Sequence, residues 1–291
     1  MNFDLAYILE ALAIGFATGL VSGGFGIGGG ILCTPLIRMV LGDDAHIAVG
    51  TSMALIIPTA IFGAFNYIRQ GKIDGKLAAQ LAPGAIIGTI AGAVASAKTQ
   101  ALTLMLLFSL LLAISGIDLS FGLTQKLKKT REAEDGKEDG KEEANGEIKE
   151  ETPGAKPEQG AGVTSQGRYS NAGPLLLGLV SGLLAGFFGV GGGFIMIPAM
   201  LFFFRTPVKT AFGTSLIVVA ALSMPGTVTH AMAGHVRFPL TLMMLAGSLP
   251  GSFIGSTVAL KLRDSNLRVA FGLLMLLLAL ALAYTEITPE D

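Results

Sequence analysis

Two glycine-rich stretches interrupt apolar segments at corresponding points of the chain. The first reads SGGFGIGGGILCTP at residues 22–35, and the second reads AGFFGVGGGFIMIP at residues 185–198. Consecutive glycines are costly inside a helix, and non-helical backbone is tolerated at membrane depth only where protein or a water-filled cavity surrounds it. Each stretch therefore predicts a bend or an unwound turn, called here the first and the second break.

The composition indicates a membrane protein. Apolar residues make up 51% of the 291 residues and charged residues only 14%, whereas soluble domains carry about a quarter charged residues. Crossing a hydrocarbon core takes about 20 apolar residues. Apolar windows of suitable character lie at 5–21, 47–68, 77–97, 102–117, 175–184, 210–233, 240–260 and 267–284. We predict an all-α polytopic membrane protein, in which the lone Cys33 excludes an intrachain disulfide.

The two halves of the chain are copies of one plan. At a constant offset of 163 residues, 13 of the 17 glycines in positions 15–118 coincide with glycines of the second half, where chance would give about two. The sequence therefore predicts a first membrane repeat at 1–118 and a second at 173–291. Between them, residues 119–172 are rich in Lys, Glu, Asp and Gly, which predicts a disordered linker, with a solvated spacer favoured over a regulatory segment.

Positive charges predict opposite orientations for the two repeats. In the first, Arg69, Lys72 and Lys76 lie between the third and fourth helical segments, while in the second Arg205 and Lys209 precede the third segment. The repeats are thus predicted to be inverted in the cell membrane, with the N-terminus outside and the linker in the cytoplasm. Inverted duplication is the usual plan of secondary transporters, which bind substrate near the midplane.

The short segments after the breaks predict an anion site. Residues 31–41 and 194–204 each span about 16 Å as helix, half of the membrane, so their N-termini would lie near the midplane with unpaired amides and a positive dipole end. A tight turn needed only for packing is the alternative. The predicted substrate-binding glycines are Gly26, Gly28, Gly29, Gly30, Gly189, Gly191, Gly192 and Gly193.

A GTS tripeptide near the start of the third segment adds hydroxyl groups to this prediction. Thr51 and Ser52 in the first repeat, and Thr214 and Ser215 in the second, could donate to a substrate oxygen. The alternative is that they bond to helix carbonyls or a neighbouring helix. Asp44, and Thr206 before Pro207, are the predicted N-caps of these segments.

Glycines spaced four apart have a different predicted purpose. They line one face of a helix and allow close approach of a neighbouring backbone, which favours helix association in lipid. The members of this set are Gly15, Gly19, Gly23, Gly84, Gly88, Gly92, Gly178, Gly182, Gly186, Gly247, Gly251 and Gly255.

The residues of the chain argue against several classes of function. Residues 24–29 spell GxGxxG, but a long apolar segment precedes them and the second copy has Phe187 in place of the first glycine. No GK[ST] follows either break, which excludes a P-loop. The three histidines and one cysteine are predicted to be scattered far apart, so no enzyme, metal site, cofactor or nucleic-acid partner is expected. Glu10, and His230 with His235, are weak candidates for a proton relay, with an interfacial or structural role favoured.

The breaks GFGIGGG and GFFGVGGG, each followed by a proline, and the paired GTS resemble the TauE/SafE family of membrane permeases, over about residues 5–284. The resemblance implies transport of sulfur-containing anions such as sulfite or organosulfonates, without fixing the substrate or the direction. We therefore expect a permease for a small anionic solute in a lipid bilayer, compatible with a homo-oligomer. An anion channel and a non-transporting scaffold or accessory subunit are the alternatives.

Overall fold

The computed structural model describes residues 5–121 and 172–287, and every element in these two ranges is a helix. The predicted all-α class is confirmed, and the predicted linker lies almost wholly outside the described residues. The ten helices are α1 (Leu5–Phe25), α2 (Gly30–Val40), α3 (Ala45–Arg69), α4 (Gly75–Ser96), α5 (Ala101–Phe121), α6 (Ala172–Phe188), α7 (Gly193–Phe202), α8 (Val208–Met232), α9 (Phe238–Lys261) and α10 (Asp264–Ile287).

Six of these helices are long and apolar enough to cross a membrane, namely α1, α3, α4, α8, α9 and α10. Large apolar side chains remain exposed on their outer faces and on α5, among them Ile87, Leu110 and Leu277. Side chains of this kind are stable against lipid but not against water. The chain is therefore a multi-pass membrane protein.

The glycines spaced four apart pack helices against each other, as predicted. Gly19 of α1 faces the Ser248 backbone of α9 so closely that a Cβ on the glycine would overlap the Ser248 carbonyl oxygen. Gly182 of α6 stands in the same relation to Ala85 of α4. The first helix of each repeat thus packs on the fourth helix of the other repeat, which joins the two halves into one body.

Each break separates a long helix from a short one. The first comprises residues 26–29, between α1 and α2, and the second comprises residues 189–192, between α6 and α7. The last residue of each break, Gly29 (φ 86°) and Gly192 (φ 67°), has a left-handed conformation that side chains disfavour. The short helices start one residue earlier than predicted, and α7 also ends two residues early, but both remain half-membrane segments.

One of the two predicted N-caps is correct. The Asp44 carboxylate accepts a hydrogen bond from the His46 amide at 2.8 Å. The prediction of Thr206 is wrong, because Pro207 has extended angles (φ −56°, ψ 143°) and is itself the cap, so that α8 begins at Val208.

Candidate functional site

The two breaks meet inside the protein. A Cβ added to Gly30 would overlap the carbonyl oxygen of Gly189, and one added to Gly193 would lie 2.7 Å from the Cα of Ile27. Side chains at these positions would push the breaks apart, since real Cβ atoms do not approach other heavy atoms within 3.0 Å. The structure therefore brings together the two glycine groups that the sequence singled out.

Apolar side chains surround the breaks in this conformation. A Cβ on Gly28 would lie 3.0 Å from Ile56, and one on Gly191 would lie 3.0 Å from Val219. Ile27 within the first break is fully buried. The glycines thus contact protein on both sides, and their role as substrate ligands stays a prediction.

The outer glycines of the breaks contact the third helix of the opposite repeat. Gly26 lies against Phe212 of α8, where a Cβ would be 2.6 Å from the Phe212 Cα. Gly189 lies against Val49 of α3 in the same way, with 2.7 Å to the Val49 Cα. Each break is thereby fixed to the helix that carries the GTS tripeptide of the other repeat.

The serines of the two GTS tripeptides are linked to the break of the opposite repeat, Ser215 directly and Ser52 through Thr34. The Ser215 hydroxyl donates to the Gly26 carbonyl oxygen. Ser52 donates to its own helix at Ala48 (2.7 Å) and accepts from Thr34, whose hydroxyl is 3.5 Å from the Gly189 carbonyl oxygen. These hydroxyls stabilise the conformation of the breaks.

The threonine of each GTS tripeptide holds a connection of the opposite repeat. Thr51 accepts a hydrogen bond from the Arg237 amide at 3.1 Å, and Thr214 accepts one from the Asp74 amide at 2.9 Å. In this conformation all four predicted hydroxyls therefore bind protein, which is the alternative raised from the sequence. Direct contact of these four with substrate stays a prediction.

Sequence reasoning missed three buried hydroxyl groups beside the breaks. Those of Thr18, Ser22 and Ser181 have no hydrogen-bond partner of good geometry. A Cβ on Gly29 would lie 2.8 Å from Thr18 Cγ2, and one on Gly192 would lie 2.7 Å from the Ser181 carbonyl oxygen. Their helices were interpreted as packing segments only, although Thr18 and Ser181 coincide at the repeat offset.

These hydroxyls lie next to unpaired amides. In α2 the amides of Leu32 and Cys33 donate to the Gly29 carbonyl, and in α7 the corresponding bonds go to Gly192. The first two amides of each short helix are therefore outside the intrahelical ladder. The Thr18 hydroxyl lies beside the Cys33 thiol, which is a weak partner. Each short helix thus begins with amides that lack an intrahelical acceptor, and the glycine before it packs on Thr18 or Ser181.

The expectation that the histidines are scattered is wrong. The His46 and His235 rings lie 5.1 Å apart and those of His230 and His235 5.8 Å apart, although up to 189 positions separate them in the chain. Helix packing brings the start of α3 next to the end of α8, which no local pattern predicts. Of the weak relay candidates, His230 and His235 lie in this cluster, where His230 is buried, whereas Glu10 is exposed on α1.

Two carboxylates adjoin the histidine cluster. Asp43 pairs with Arg237 and is buried; burial raises the pKa of Asp43, and the Arg237 guanidinium opposes that rise. Burial also acts on Asp44, but the hydrogen bonds from His46 outweigh it and hold the pKa of Asp44 below its usual value. Among the described residues, no three His, Cys, Asp or Glu side chains are arranged to hold a metal ion.

Comparison with known proteins gives a consistent result. The chain is 27% identical to the probable membrane transporter protein YunE of Bacillus subtilis, over 95% of this chain and 97% of YunE. It is 24% identical to the probable membrane transporter protein MJ0441 of Methanocaldococcus jannaschii, over 95% of this chain and 98% of that protein. A probable membrane transporter protein of Xylella fastidiosa is 32% identical over 35% of this chain and 40% of its own length. No solved structure matches.

The family model named sulfite exporter TauE/SafE matches residues 11–282, which include both breaks and both GTS tripeptides. The chain therefore belongs to the TauE/SafE family of membrane transporters.

Proposed function

We propose that the protein is a secondary transporter that moves a small sulfur-containing anion across the cell membrane, bound between the first turns of α2 and α7. The observation that carries this proposal is the set of unpartnered hydroxyls on Thr18, Ser22 and Ser181. A buried hydroxyl without a partner costs about 1–3 kcal/mol. An oxyanion would accept hydrogen bonds from these groups and from the free amides of the short helices.

Sulfur oxyanions fit the chemistry of this site. Sulfite and sulfonates present several oxygens, each of which accepts hydrogen bonds, and need no positively charged side chain when two helix N-termini supply the donors. The family name supplies sulfite as the first substrate to test. A weakly polar site also suits a carrier, since the anion must be able to leave.

The packing favours a carrier over a channel. Ile27 and Val190, which lie within the breaks, are both fully buried. An anion can reach the first turns only if the breaks or the surrounding helices move. Such movement is the alternating access of a transporter, and the conformational freedom of the glycine backbone in the breaks is suited to it.

Contacts between connections support the predicted inversion of the repeats. At one end, Asp43 before α3 pairs with Arg237 before α9. At the other, the amide of Asp74 before α4 bonds to Thr214 near the start of α8. Each pair joins the region before the third helix of one repeat, or its first turns, to the region before the fourth helix of the other. Contacts of this kind are expected between inverted repeats.

Flux measurements in proteoliposomes test the proposal. Labelled sulfite is loaded inside, and its efflux is followed with and without unlabelled sulfite outside. A carrier accelerates when substrate is present on the opposite side, a channel does not, and a scaffold shows no flux. Thiosulfate, organosulfonates and carboxylates added as competitors define the substrate class.

Two variants link the flux to the site. Thr18→Val and Ser181→Ala each remove one donor, so we expect the KM for sulfite to rise about 10- to 100-fold, the value of a hydrogen bond to a charged group. Ser109→Ala is the control, because Ser109 is also buried but bonds to Leu106 within α5. An unchanged KM in both site variants would contradict the proposed site.

A further inference from the structure

The three histidines of the chain occupy one end of the helix bundle. His46 begins α3, His230 is near the end of α8, and His235 lies in the connection to α9. The groups around them come from every neighbouring element: Arg38 of α2, Asp43 and Asp44 before α3, the carbonyls of Ser96 and Thr99 and the exposed Lys98 after α4, the Gly186 carbonyl of α6, and Arg237 before α9.

His46 is surrounded by acceptors. Its Nδ1 is 3.2 Å from a carboxylate oxygen of Asp44, and its Nε2 is 3.2 Å and 3.0 Å from the carbonyls of Ser96 and Thr99. A ring with protons on both nitrogens satisfies all these contacts.

The other two rings share a single proton position. His230 Nε2 lies 3.0 Å from the Gly186 carbonyl, which can only accept, so this nitrogen carries a proton. His230 Nδ1 and His235 Nδ1 are 3.5 Å apart, and one proton between them makes a hydrogen bond while two repel. Burial, and then the charge of His46, lower the pKa of His235.

His230 connects this cluster to the second break. Gly186, which accepts its hydrogen bond, is three residues before Gly189, where the second break begins. Full protonation would place three positive charges on neighbouring rings and separate His230 from His235. The strain would act on the last turn of α6 and so on the break.

At the opposite end of the bundle, other residue types stand at the positions equivalent to the three histidines. At the repeat offset, Lys72, Lys209 and Tyr67 replace His235, His46 and His230. The Tyr67 hydroxyl donates to the Gly23 carbonyl at 3.1 Å, which reproduces the His230 contact with Gly186. A phenol keeps this contact without gaining a charge near neutral pH, so among the described residues the histidine cluster has no counterpart at this end.

We propose that His46, His230 and His235 form a proton-binding site coupled to movement of the second break, so that acid at this end of the bundle drives the transport cycle. The coupling to transport rests on the proposed function, whereas proton binding does not. The direction of the pH dependence follows from the pKa of His235. A lowered folded-state pKa stabilises this conformation above about pH 6.5, and that stabilisation is lost as the pH falls through the folded value.

The experiment uses the full chain in nanodiscs, with isotope-labelled histidine and a purification tag without histidine. Three ring signals are followed by NMR against pH, in wild type, in His46→Gln and in the control Lys98→Gln. Removing a charge 5.1 Å away should raise the midpoint of His235 by about one pH unit. Lys98 is exposed, so solvent should screen its charge and the control should shift the midpoint far less.

Sulfite flux of the same proteins is then measured against pH. We expect wild-type flux to increase severalfold on acidification, and the midpoint in His46→Gln to move with that of His235. Independent titration of the three rings, or equal shifts in His46→Gln and Lys98→Gln, would overturn the proton site whether or not sulfite moves. A flux profile unchanged by His46→Gln would overturn the coupling. Linked titration without any flux would refute the proposed function and leave the proton site standing.

Discussion

Replacing Gly23 or Gly24 of α1 by alanine tests whether helix contact at the glycines holds the two repeats together. The two residues are adjacent and buried in one helix, but their surroundings differ. A Cβ on Gly23 would overlap the Ser252 carbonyl oxygen of α9. A Cβ on Gly24 would meet its nearest atom, the Gly255 carbonyl oxygen, at 3.5 Å, which is ordinary contact.

The expected loss of stability in Gly23→Ala follows from these distances. To admit the Gly23 methyl group, α1 and α9 must separate by about 1 Å, and a gap of that size loses up to half of the dispersion attraction across the contact. Overpacking of this kind costs about 1–3 kcal/mol, against at most about 1 kcal/mol gained from the helix propensity of alanine. Gly24→Ala gains the higher helix propensity of alanine without overlapping α9.

Thermal unfolding in detergent measures the difference. We expect Gly24→Ala to be neutral or slightly stabilised and Gly23→Ala to be less stable than it by about 1–3 kcal/mol, which corresponds to about 2–12 °C in apparent Tm. Equal Tm values for the two variants would refute the argument that the glycine contact with α9 limits the approach of the helices.

Two further predictions concern a contact between the repeats and the burial of Cys33. Thr214→Val removes the acceptor of the Asp74 amide and should cost about 1–2 kcal/mol, seen as a lower apparent Tm. Thr99→Val removes an exposed hydroxyl that bonds to Ala95 in the last turn of α4 of the same repeat and should cost less; equal losses would argue against the link between repeats. Cys33 is fully buried, so a maleimide should label it in denaturant but not in native membranes, and rapid native labelling would show that the first break opens readily.

Local sequence patterns were sufficient to predict the helices of this protein and the breaks between them. Apolar length and glycine spacing predicted the membrane helices, the packing faces of α1, α4, α6 and α9, and the positions of both breaks. These features depend on periodicity and on the conformational cost of single residues, which the chain carries in its own order. The internal offset further indicated which residues would have equivalent roles.

Only the tertiary structure decided which groups meet. The hydroxyls of Thr51, Thr214 and Ser215 bond to the opposite repeat. Thr18 and Ser181 lie beside the short helices without partners, and His46, His230 and His235 form one cluster. Each of these results depends on how helices from different repeats pack. The sequence by itself determined where the chain bends and which faces are apolar, because those are local energies; which polar groups share a buried space is decided by contacts between residues far apart in the chain.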